Sequence, residues 1–163
     1  MAAPRLSTAQ GILVALILAA QAKTGSPLAG IPIAREQFGY MDPTSEANDP
    51  DKIVTAALAD GGGGIAIYVP YPITARQEWV LNGATTIKCL IPVFLMVNPE
   101  QNERGDGGLK RDPLVIVEEI WSALKGKTNG PASFALGASP MGLPSDESGI
   151  RSYPIDIECT LMV

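Results

Sequence analysis

The chain has 163 residues, 46% hydrophobic and 18% charged, with 12 Lys and Arg against 17 Asp and Glu for a net charge of −5. That length supports one globular domain with its own core, and the composition is too apolar for general disorder. The basic residues are scattered (Lys88, Lys110, Arg111, Lys125 and Lys127 form no run), which argues against the phosphate-neutralising surface that tight nucleic-acid binding needs.

Histidine is absent altogether. With it go the commonest general base, the usual partner of a Ser or Cys nucleophile and the commonest zinc ligand. The expectation is a non-enzymatic protein without metal or cofactor.

The N-terminus carries a single Arg, the apolar run Gly11 to Ala19 and an Ala20-Gln21-Ala22 sequence, the three parts of a secretory signal. It also reads as a capped helix, with Ser7-Thr8-Ala9-Gln10 in capping-box order. The apolar run is too short to span a bilayer. A buried helix over Thr8 to Lys23 is therefore predicted, stopped by Thr24-Gly25-Ser26-Pro27.

Leu28 to Arg35 follows as a short extended piece, kept at a sheet edge or strand start by Pro32. A polar loop, Glu36 to Pro50, precedes a short helix, Ile53 to Ala59. Gly61 to Gly64 end that helix and lead into a strand, Ile65 to Val69. Phosphate-binding glycine loops run from strand into helix, so this run is a turn.

Pro70 to Trp79 continues as an extended arm or edge, and Asn82-Gly83 signals a tight turn. The longest strand is predicted over Thr85 to Asn98. Ile87, Cys89, Ile91, Val93, Leu95 and Val97 lie on one face, and Leu90, Pro92, Phe94 and Met96 on the other. A strand apolar on both faces is covered on both, and in so small a chain the second cover is expected to be another subunit. Leu90, Phe94 and Met96, with Tyr71 and Trp79, are the candidate interface residues.

Asn98 to Arg111 reads as a charged, glycine-rich loop. Its Arg104-Gly105-Asp106 tripeptide is short enough to recur by chance, and its acidic groups lack an EF-hand spacing. Asp112-Pro113 caps a helix from Leu114 to Lys125, with Leu114, Val117, Trp121 and Leu124 as its apolar stripe. Glu118 and Glu119 diverge by about 100° on a helix, so they read as a solvated face rather than a catalytic pair. Lys125 and Lys127 complement the helix C-terminus.

Phe134-Ala135-Leu136 is a short strand, and Gly137 to Arg151 a long polar loop. The chain closes on Tyr153 to Val163, where Tyr153, Ile155, Ile157, Cys159, Leu161 and Val163 alternate with Pro154, Asp156, Glu158, Thr160 and Met162. Strict alternation marks a half-buried strand, with Asp156 and Glu158 as a candidate acidic outer face. Cys89 and Cys159 are read as small apolar residues in a reduced core, a disulfide between neighbouring strands being the lesser alternative.

These elements compose an α/β (α+β) domain over residues 1–163. A mixed, mostly antiparallel sheet of about four to five strands packs against about two to three helices, with long projecting loops. Three segments carry a resemblance: Ile87 to Val97 running into Asn98-Pro99-Glu100-Gln101-Asn102, the helix Asp112 to Lys125 ending Ile120-Trp121-Ser122-Ala123-Leu124, and the strand Tyr153 to Val163. With Leu28-Ala29-Gly30-Ile31-Pro32-Ile33, they make the chain similar, as a pattern over most of its length, to the tail-terminator and neck (head-tail joining) proteins of tailed bacteriophages.

That resemblance implies a structural subunit of the virion, forming a ring with itself, usually a hexamer, between tail tube and head connector. Such a ring caps the tube, contacts the tube and connector proteins, and passes DNA without sequence-specific binding. An acidic ring would repel DNA phosphates and limit sticking. A stopper, tube or minor capsid protein is the nearest alternative, and an exported small binding protein with a signal-like N-terminus a more distant one. No membrane association is expected.

Overall fold

The computed structural model describes residues 6–36, 55, 58–59, 63–79, 85–104, 110–137, 145–147 and 149–162. In chain order these form α1 (Leu6–Gln21), β1 (Ile33–Arg35), β2 (Ile65–Val69), β3 (Thr74–Trp79), β4 (Thr85–Val97), α2 (Pro99–Arg104), α3 (Pro113–Leu124), β5 (Thr128–Asn129), β6 (Ala132–Leu136), β7 (Ser145–Glu147) and β8 (Ile150–Met162). The mixed α/β class is as the sequence implies. The strands number eight, in the order β1-β2-β4-β8-β6-β5 with β3 added to β4 and β7 to β8. β1 and β3 fall within the stretches read as extended, Leu28 to Arg35 and Pro70 to Trp79, and the strands with no counterpart in the sequence reading are β5 and β7, of two and three residues. Pieces so short complete too few repeats for a two-residue period to register.

Two long strands form the axis of the sheet. β4 and β8 pair antiparallel along nearly their whole lengths, from Thr86 opposite Met162 to Val97 opposite Arg151. The free edge of β4 is shared between two shorter strands, β2 against its C-terminal end and β3 against its N-terminal end. The far edge of β8 is divided likewise between β6 and β7. Among the described residues only β1 and β2 run parallel.

Two prolines account for this division. Proline has no N–H to give a ladder and is normally kept out of central strands. Pro92 falls in β4 between the stretches paired with β2 and β3, and Pro154 in β8 between those paired with β6 and β7. Asn98 N–H bonds to Gly64 O and Ile73 N–H to Leu90 O, so even-numbered residues of β4 aim their backbone groups at β2 and β3. Met162 N–H bonds to Pro131 O and Gly137 N–H to Asp156 O, so even residues of β8 aim at β6 and β7. Both missing donors therefore point into gaps. Between Tyr68 opposite Phe94 and Thr74 opposite Leu90, the β2–β3 chain carries two more residues than β4 does. An even insertion keeps the alternation of faces.

Helices α1 and α3 cover one face, where the main core lies. Leu13 and Ile17 of α1 and Ile116, Ile120 and Leu124 of α3 are fully buried against Ile91, Leu95, Ile155 and Ile157. The helix read as signal-like is thus a core element. Among the described residues no helix is long and apolar enough to cross a membrane. Gln10 has no capping-box role: its buried amide Nε2 donates to Glu36 O at 3.1 Å and Val69 O at 2.9 Å, tying α1 to the end of β2.

Asp112 caps α3 as expected, its carboxylate accepting from Leu114 N at 2.9 Å with Pro113 in the first turn. The apolar stripe is rotated, however. Ile116, Val117, Ile120, Ala123 and Leu124 are buried, whereas Leu114 is 51% exposed and Trp121 half-buried. Contact with both α1 and the sheet demands a broader stripe than a single helical row.

The sequence at 98–111 reads as a loop, yet α2 opens it. Asn98 Oδ1 accepts from Gln101 N at 3.2 Å and Pro99 follows at the first helical position, the same device that starts α3. Asn102 is buried and exchanges two bonds with the Arg111 backbone, 2.9 Å and 3.1 Å, closing the base of the following segment. Of the predicted helix Ile53 to Ala59, only Thr55, Leu58 and Ala59 are described, and they are helical. The polar loop after Glu36, the Asn82-Gly83 turn and the Gly105–Asp106 part of the tripeptide lie outside the described residues.

Gly64 joins this scaffold at close quarters. Its φ is +75°, and a Cβ there would meet Gln101 Cβ at 2.6 Å. Gly25 has a similar φ, +73°, with nothing within 4 Å. Gly25→Ala should lower stability by about 1 kcal/mol from backbone strain alone, and Gly64→Ala by about 2 kcal/mol or more. Urea midpoints measure both, and equal losses would contradict the close packing of α2 on Gly64.

Candidate functional site on the outer face of the sheet

The β4–β8 ribbon sorts its side chains by parity. Odd positions from Cys89 to Val97 and from Tyr153 to Leu161 are buried towards the helices. Even positions form the outer face, where Leu90 stands opposite Glu158, Pro92 opposite Asp156, and Phe94 opposite Pro154. Five of the sequence-derived candidates, Leu90, Phe94, Met96, Asp156 and Glu158, therefore share one surface. Tyr71 is half-buried in the link between β2 and β3, its N–H donating to Glu36 Oε2 at 2.9 Å. Trp79 ends β3 opposite Thr85, with its side chain outside what is described.

The outer face has two halves. At the β2 end, Leu58, Ala66 and Tyr68 make a second buried cluster, with Phe94, Met96 and Ile150 packed against it. The Tyr68 and Phe94 rings lie 6.3 Å apart between centroids, tilted by 33°. The cover of Phe94 and Met96 is thus in part the chain's own, which corrects the expectation that another subunit supplies it. The residues responsible, Leu58 and Tyr68, sit on a helical segment and a strand short enough to hide their facing.

Burial there, with the nearby Glu36 charge adding to it, pushes the Tyr68 hydroxyl up to about 12 from 10.0. A desolvated phenolate beside a carboxylate is disfavoured.

The β3 end of the face is open. Arg76, Lys88, Leu90, Glu158 and Thr160, with Cys89 and Cys159 between them in sequence, line a depression of about 380 Å³. Beside it Met162, on the same face of β8, is 64% exposed, and Ile73, ahead of β3, is 68% exposed. Sequence reasoning missed Ile73, which lies ahead of β3 in a stretch, Pro70 to Trp79, that reads only as an extended arm or edge. It also treated the face as acidic. Asp156 is half-buried and Glu158 exposed, but the register brings Lys88 opposite Thr160 and Arg76 opposite Lys88. Cations of two neighbouring strands stand beside the carboxylates, and the surface is mixed in charge.

Cys89 and Cys159 face each other directly across β4 and β8 on the inner side, as free, buried thiols. The hydrogen bond between them lowers Cys89, and it raises Cys159 well above the ordinary thiol range, burial and the Cys89 charge adding to the rise. Among the described residues, no group of three or more His, Cys, Asp or Glu is placed to hold a metal ion.

Away from this face, Arg111 Nη1 and Nη2 donate to Pro27 O at 3.1 Å and Ala29 O at 2.7 Å, pinning the segment after α1 to the start of α3. Lys110 and Glu103 form an exposed ion pair at 2.7 Å. No protein-family model and no curated protein sequence matches the chain.

Two measurements check this description. Both thiols should resist a water-soluble thiol reagent in the native protein and react once it is unfolded; rapid native reaction would contradict their burial. A spectrophotometric titration of wild type minus Tyr68→Phe should place Tyr68 near 12. Because the folded state keeps a proton that the unfolded state has lost, Tyr68 contributes full stability below pH 10, and that contribution falls as pH rises from 10.0 towards about 12. In Tyr68→Phe that part of the alkaline loss should vanish.

Proposed function

We propose that this protein is a structural subunit of a bacteriophage neck or tail, assembling with itself into a ring that caps the tail tube, joins it to the head connector and lets DNA pass. The observation that carries the reading is the open β3 end of the outer face, where half-buried Leu90 sits among Arg76, Lys88 and Glu158 and exposed Met162 follows Thr160 on the same face of β8. Apolar side chains ringed by charges of both signs suit a specific protein surface better than a nucleic-acid backbone. The segmental likeness to tail-terminator and neck proteins, strongest in β4, α3 and β8, supplies the particular assembly.

On this reading, contact between subunits centres on Leu90 and Met162 rather than on Phe94 and Met96, which Leu58 and Tyr68 already shield. A closed ring requires a contact in which two different patches meet, and the open half of the outer face supplies one of them. The virion is the corresponding location.

The test is electron microscopy and mass measurement of the purified chain and of particles. Closed rings, and density at the neck, are expected. Leu90→Glu and Met162→Glu should each weaken ring formation at least tenfold, since each puts a charge into the contact, while leaving the fold intact by circular dichroism. A monomer at every concentration, with no neck density, would defeat the proposal.

A further inference from the structure

β3 presents an edge whose partner can be read from its own sequence. Its inner edge is fully used, from Thr74 opposite Leu90 to Trp79 opposite Thr85. Even residues of β4 aim their backbone groups at β3, so Thr74, Arg76 and Glu78 exchange the ladder bonds. Ala75, Gln77 and Trp79 then direct their N–H and C=O groups outward. The equivalent groups of β2 are taken by the chain ahead of and after β1, where Ile67 N–H bonds to Pro32 O and Glu36 N–H to Val69 O. Among the described residues, no strand takes those of β3.

We propose that this edge pairs with the β3 of a second copy, antiparallel about a two-fold axis at Gln77. Only odd residues can meet odd residues across the junction, because only they carry outward ladder groups. With the axis at Gln77, Ala75 stands opposite the second copy's Trp79, a small residue against a large one. Arg76 stands opposite its Glu78, and the symmetry repeats that pair on the other side of the axis. Moving the axis to Arg76 sets Arg76 against itself, and moving it to Glu78 sets Glu78 against itself. Like charges directly opposite destabilise a strand pair and unlike charges support it. A one-residue slip mismatches the backbone groups and turns the side chains to the wrong face. The sequence Thr74-Ala75-Arg76-Gln77-Glu78-Trp79 is thus self-complementary in one register only.

The charges that guard an edge against indiscriminate pairing here select a single partner. Joined this way, the two sheets become continuous and their outer faces lie on the same side. The inference is independent of the virion reading: a two-fold contact through β3 yields dimers whether or not a ring forms, and pairs of rings if one does.

The experiment measures the mass of the full chain by sedimentation. The wild type is expected to associate in multiples of two. Arg76→Glu and Glu78→Arg should each halve the mass, and the double exchange R76E/E78R, which restores opposite charges across the axis, should recover it. Gln77→Pro should halve it as well, since the donor it removes points away from β4; circular dichroism checks that each variant is folded. A wild-type monomer, or a ring without doubling, overturns the proposal, the latter leaving the ring reading standing. Failure of the folded double exchange to recover the wild-type mass also overturns it. A dimer that never forms rings upholds this contact and counts against the ring.

Discussion

The antiparallel register between β4 and β8 is the constraint from which the rest of the structure follows, because two thirteen-residue strands paired almost end to end leave no freedom in which side chain faces which layer. Each strand also contains one proline, placed so that its missing donor faces away from the shared ladder. Pro92 and Pro154 can occupy the centre of the sheet only because the outer neighbours are interrupted beside them. The interruptions in turn create β3 and β7 as separate strands. A local defect in hydrogen bonding is thereby converted into topology, and the outward edge of β3 is one of its consequences.

Parity then separates the core face of the sheet from its outer face. The inner face is a continuous apolar layer sealed by α1 and α3, and the two cysteines belong to it as ordinary small core residues. The outer face is divided by the same proline-marked break. One half is closed by Tyr68 and Leu58 of the same chain, and the other displays apolar and charged side chains together. The net charge of −5 says little about that half, since Lys88 comes from the strand beside the carboxylates and Arg76 from the strand beyond it. What that half presents is set by register and not by composition.

This explains which features could be read from the chain and which could not. β4 and β8 were legible because alternation over many residues has one interpretation, and α3 because Asp112-Pro113 is a strong start signal. The start of α2 carried the same signal in Asn98-Pro99 but was masked by the charged, glycine-rich context that follows. β5 and β7 are too short to show a period. The facing of α3 was misjudged at Leu114 because a helix wedged between another helix and a sheet buries more than one row. The candidate surface was legible as a set of positions, Leu90, Phe94, Met96, Asp156 and Glu158, all of which share the outer face. Its division into a covered and an open half was not, since that depends on Leu58 and Tyr68, which are distant in sequence from the ribbon they cover.

The two proposed contacts make different geometric demands, and the fold separates them. Pairing through β3 is isologous: the same edge meets itself, so alone it closes at two copies. A contact through the open outer face is roughly perpendicular to that edge, since side chains leave a sheet at right angles to its ladder bonds. If that face meets a different patch on the neighbour, the contact repeats around a ring. Neither contact occupies the backbone groups or the side-chain area that the other needs, apart from Arg76, which lies both on β3 and in the depression. Arg76 is therefore the position where the two would be felt together: pairing through β3 holds its strand in register with Lys88 and fixes one wall of the depression. A sheet with a used inner face, a divided outer face and a self-complementary edge can support assembly in two directions without any change in its core.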